Sequence, residues 1–102
     1  MNIHTFALTM ILLATIANAQ SPSAKQRDCD RTAERYAAAA RNVSQWTNEK
    51  LSEQAALADC LAGGKKSSCA RHQSKIKTLE SMIARESRVA DDAKRWIEKN
   101  CR

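Results

Sequence analysis

The sequence predicts an all-α protein: a long antiparallel two-helix hairpin, coiled-coil-like, stapled by two nested disulfides. Three observations carry this. The chain has a single Pro, Pro22, and two glycines, Gly63 and Gly64, so two long stretches run free of helix breakers. Four cysteines stand symmetrically about the glycine pair. Apolar residues recur at alternating steps of three and four on the second arm and, less regularly, at the same steps on the first, the seam of paired helices.

The first element is not part of that fold. Residues 1–19 read as a signal peptide. An apolar run from Phe6 to Ile16 ends at Ala17-Asn18-Ala19, which suits signal-peptidase cleavage before Gln20, although no Lys or Arg precedes the run. The run is shorter than the roughly 20 apolar residues of a bilayer span. Retention as an anchor is the alternative. No later segment is apolar enough to cross a membrane. Residues 20–102 then form one hairpin domain, secreted or periplasmic. They keep all 17 basic and 11 acidic residues, so the net charge of +6 belongs to them.

Helix 1 is expected over about 23–62. Ser23-Ala-Lys-Gln26 reads as a capping box. The expected seam is Cys29, Ala33, Tyr36, Ala40, Val43, Thr47, Leu51, Ala55 and Ala58. The middle, RNVSQWTNEK, has poor helix formers, and a break near Ser44–Asn48 would give a three-helix bundle instead. The turn is expected over 63–67. Gly63 is read as the left-handed residue after the helix and Ser67 or Ser68 as the next cap. Helix 2 is expected over about 68–100. Its seam, Cys69, His72, Ile76, Leu79, Ile83, Glu86, Ala90, Ala93 and Ile97, is the stronger of the two.

Arm lengths select the disulfides. Thirty residues lie between Cys29 and Cys60, and thirty-one between Cys69 and Cys101. Along one continuous helix Cys29 and Cys60 would be about 46 Å apart, whereas a bridge needs α-carbons within about 7 Å. Cys29 with Cys69 fails for the same reason. Only Cys29–Cys101 and Cys60–Cys69 survive, with positions summing to 130 and 129. On this rule Ala33 should face Ile97, Ala40 Ala90, Thr47 Ile83, Leu51 Leu79 and Ala58 His72. An even cysteine count behind an export signal fits an oxidising compartment.

Some apolar residues fall outside the seam. Met82, Val89 and Trp96 stand seven apart beside the seam of helix 2, and Trp46, Leu57 and Leu61 lie off that of helix 1. They either widen the apolar stripe or anchor a partner. The candidate partner-binding residues are Trp46, Met82, Val89 and Trp96, facing another protein or a second copy in a homodimer.

The charges offer a second candidate. Lys65, Lys66, Arg71, Lys75 and Lys77 form a basic patch at the turn, and Arg27, Arg31 and Arg35 repeat near the open end. Such patches suit anionic membranes or cell-surface polymers. No basic stripe is interleaved with aromatics, so nucleic acid is disfavoured. Cys60, Cys69 and His72 could hold a metal only as free thiols, which the disulfide reading removes, so no metal or cofactor is expected. No serine or cysteine sits in a nucleophile motif and no catalytic residue is assigned. Asn42-Val-Ser44 is a glycosylation sequon.

The layout resembles the disulfide-stapled coiled-coil-helix hairpins. Ala93–Cys101, AKRWIEKNC, resembles the end of a family of small helical lysozyme inhibitors. The arms are longer than in the first, and the Trp96-to-Cys101 spacing is shorter than in the second, so neither carries a function over. The expectation is an exported, non-enzymatic protein-binding module, such as an inhibitor, immunity factor or assembly adaptor, acting through its helix faces. The alternative is a basic secreted peptide of the effector or antimicrobial type.

Overall fold

The computed structural model describes residues 23–64 and 66–102, with Lys66 described in its backbone alone. The expected signal peptide, Pro22 and Lys65 lie outside the described residues. Two helices, α1 (Ala24–Ala62) and α2 (Lys66–Asn100), pack against each other as an antiparallel pair. At 39 and 35 residues they are roughly 58 Å and 52 Å long.

α1 begins with half of the expected capping box. Ser23 Oγ accepts from the Gln26 amide at 3.1 Å, while the Gln26 side chain donates forward to Asp30 Oδ1 at 3.1 Å. The helix then runs unbroken through RNVSQWTNEK, which excludes the three-helix bundle. Tertiary packing overrides the weak propensity of those residues. At the turn, Gly63 remains right-handed with φ −81°, and Gly64 takes the left-handed conformation with φ 76°. The left-handed residue is therefore one position later than expected. Gly63 N–H donates to Asp59 O and Gly64 N–H to Leu61 O, at 3.1 and 3.2 Å, which satisfies two carbonyls of the last turn. α2 starts at Lys66, so Ser67 and Ser68 lie in its first turn rather than before it.

Both disulfides have the nested pairing. Cys29–Cys101 joins α-carbons 5.9 Å apart at the open end, and Cys60–Cys69 joins α-carbons 5.5 Å apart beside the turn. The two clamps fix the register of the helices at both ends.

The seam of α2 is the expected one. Cys69, Ile76, Leu79 and Ala93 are buried, and His72, Ile83, Glu86, Ala90 and Ile97 are half-buried. The seam of α1 is not. Ala33, Ala40, Thr47, Leu51, Ala55 and Ala58 are exposed. The covered ladder is instead Cys29, Thr32, Tyr36, Ala39, Val43, Trp46, Lys50, Glu53, Leu57 and Cys60, in which all but Tyr36 are buried or half-buried. The helix is rotated so that both of its cysteines face α2. The register set by the bridges then places Thr32 level with Ile97, Ala39 with Ala90, Trp46 with Ile83, Lys50 with Leu79 and Leu57 with His72. Each α1 residue is one position before the one expected, and one position is about 100° of rotation.

Candidate interaction faces

A seam that runs the length of a flat helix pair leaves two broad faces. The positions beside the α2 seam on one side are Lys75, Met82, Val89 and Trp96. On the same side α1 presents Arg35, Asn42, Glu49 and Ala56. We call this the tryptophan face. The other side of α1 carries Ala33, Ala37, Ala40, Ser44, Thr47, Leu51, Gln54, Ala58 and Leu61, which we call the leucine face.

The four expected partner-binding residues all come to the tryptophan face. Trp96 and Val89 line an open groove across both helices with Thr32, Arg35, Asp92 and Ala93. Trp46 and Met82 line a second groove with Arg85 and Glu86. Trp46 reaches it from a seam position and is half-buried, as are Met82 and Val89, whereas Trp96 is 38% exposed. A tryptophan beside close-packed alanines, Ala90 and Ala93, has no room inside the seam and rides over it.

Polar contacts cross the helix pair on the same side. Asn42 Nδ2 donates to Glu86 Oε1 at 3.2 Å. That nitrogen is the atom an N-glycan would occupy, so the folded sequon presents an engaged and half-buried acceptor. Nearer the turn, Glu53 Oε2 lies 2.6 Å from His72 Nδ1, and Glu53 Oε1 lies 3.2 Å from Lys75 Nζ. The hydrogen bond from His72, then that from Lys75, holds the Glu53 carboxyl below its ordinary value. Glu53 escapes a sequence reading that looks for apolar seams. The signal for it was the ladder that must pass through both Cys29 and Cys60, which lands on residue 53.

Three residues of the expected basic patch have described side chains. Lys75 is engaged by Glu53. Arg71 is exposed on the tryptophan side, Lys77 on the other, and Lys65 and the Lys66 side chain lie outside the described residues. Cys60 and Cys69 are bonded to each other, so neither is a thiolate beside His72. Among the described residues no group of three or more His, Cys, Asp or Glu could hold a metal ion, and no helix is long and apolar enough to cross a membrane. The two disulfides are consistent with an extracellular or otherwise oxidising compartment.

No protein-family model matches the chain, and no curated protein and no solved structure is significantly similar to it.

Proposed function

We propose that this is an exported, non-enzymatic protein-binding module that engages its partner through the tryptophan face. One observation carries the reading: Trp96, 38% exposed, stands in a groove that the half-buried Val89 and the exposed, charged Arg35 and Asp92 also line. Large aromatics inside a charged rim are the usual anchors of protein interfaces. The grooves are shallow and open along a narrow helix pair, and such a surface fits a protein segment better than a small substrate that must be shielded from water. Two bridges fix the backbone beneath the groove, so little ordering free energy is spent on binding. Secretion or periplasmic residence is part of the proposal, and it rests on the apolar leader and the disulfides.

The experiment is capture from the source organism's extracellular or envelope fraction with the oxidised protein and with the Val89→Gln/Trp96→Gln variant. Both should show the same helix content. A partner retained by the first and lost by the second supports the reading. Equal retention by both overturns it.

A further inference from the structure

We propose that the leucine face joins two copies of this chain into an antiparallel dimer, which leaves both tryptophan faces outward. The nine positions of this face on α1 alternate steps of four and three from Ala33 to Leu61, and none of them carries a charge. This is a second heptad row on a helix that already has one. Leu51 and Leu61 on it are 59% and 53% exposed, the two most exposed of the large apolar residues among those described.

The row is complementary to itself. Thr47 is its midpoint. If α1 of a second copy lies antiparallel with Thr47 on the two-fold axis, Leu51 meets Ser44, Gln54 meets Ala40, Ala58 meets Ala37 and Leu61 meets Ala33. The bulky half of the row faces the small half at nearly every level, which is what an isologous contact needs. A receiving site is already formed at one end. Ala33, Ile97 and the Cys29–Cys101 bridge line an open groove between the helices with Gln26, Asp30 and Asn100. Leu61 of the second copy arrives there.

The charges on α2 agree with the same register. Lys77 comes level with Ser87 of the second copy, Glu80 with Ala84, Asp91 with Gln73 and Lys94 with Ala70. Each charge meets a neutral residue and no like charges coincide. The row is about 42 Å long and a helix pair about 20 Å wide, so the contact covers on the order of 800 Å² per copy, the size of a standard stable interface. A different protein on this face would not explain why its two halves fit each other.

Sedimentation equilibrium of the oxidised protein at micromolar concentrations is the test. The wild type should behave as two chains. Leu51→Glu/Leu61→Glu should dissociate by about tenfold or more at lower concentration, with helix content and both bridges unchanged, because both leucines are already exposed. Ala40→Glu, about two turns from the axis and level with Gln54 of the second copy, should weaken the dimer in the same direction. Val89→Gln/Trp96→Gln should leave it intact. A wild type that stays a single chain at high concentration overturns the proposal. So does a dimer indifferent to the leucine variants, or one lost with the tryptophan-face variant.

Discussion

The two helices contribute unequally to the seam that joins them. α2 supplies Cys69, Ile76, Leu79 and Ala93, four of the five buried residues among those described; α1 supplies Ala39. Opposite the large apolar side chains of α2 stand Lys50, Glu53 and a half-covered Trp46. α1 is no poorer in apolar residues, but it divides them between the seam and the leucine face. A helix whose apolar content is split in two cannot fix its own rotation by burial alone. In this molecule the two bridges supply what the seam of α1 lacks.

The largest effect that would break this comparison is loss of a bridge. Cys29–Cys101 closes 72 residues and Cys60–Cys69 closes 9. The chain-entropy account assigns them about 4 and about 2.5 kcal/mol. Cys29→Ser/Cys101→Ser should therefore lower the thermal midpoint more than Cys60→Ser/Cys69→Ser, as read by circular dichroism. Equal midpoints would show that the seam of α1 is sufficient without them.

The next effect separates the helices directly. Leu79→Ala should cost about 2–3 kcal/mol in urea titrations, the lower part of the range for buried leucines, because the facing Lys50 stem can relax into the space. Leu51→Ala, an equally large truncation on α1, should stay within about 0.5 kcal/mol in the isolated chain because Leu51 is 59% exposed. Similar losses at both sites would mean that Leu51 is covered in solution.

A gain should come from repairing the weak side. Lys50 occupies a half-buried seam position level with the buried Leu79. Lys50→Leu should stabilise the hairpin by about 1 kcal/mol through added apolar burial, raising the urea midpoint without changing the slope. A loss would show that the Lys50 ammonium has an interaction the seam needs.

The smallest effect is pH-dependent. The Glu53 carboxyl sits below its ordinary value of 4.5, held there by His72 and Lys75. A carboxyl lowered by folding contributes stability that is fully present above its unfolded value and is lost as pH falls through the folded one. The wild-type melting temperature should therefore decline below about pH 4.5 by a small margin more than that of Glu53→Gln. Parallel declines from neutral to acid pH would show that the contact contributes nothing.

How legible this was from the sequence differed by element. The hairpin, its turn and the disulfide pairs followed from Gly63-Gly64 and from equal arms, because a helix has a fixed rise per residue and a bridge has a fixed reach. The seam of α2 was legible because its apolar residues obey a single period. The seam of α1 was not. Ala33, Ala40 and Thr47 also recur at helical spacing, and nothing local says which of two rows on one helix faces inward. The bridge at Cys60 does say so, since a ladder starting from Cys29 must reach it; the row ending at Ala58 misses it.

The sequence by itself determined the topology, because chain length, breakers and cysteine spacing act along one dimension. Tertiary structure alone decided the rotation of α1 about its axis. That angle depends on which of its faces α2 and the two bridges take up together. It placed Glu53 against His72 and Lys75, set Asn42 on Glu86, gathered Trp46, Met82, Val89 and Trp96 on one side, and turned Leu51 and Leu61 outward on the other.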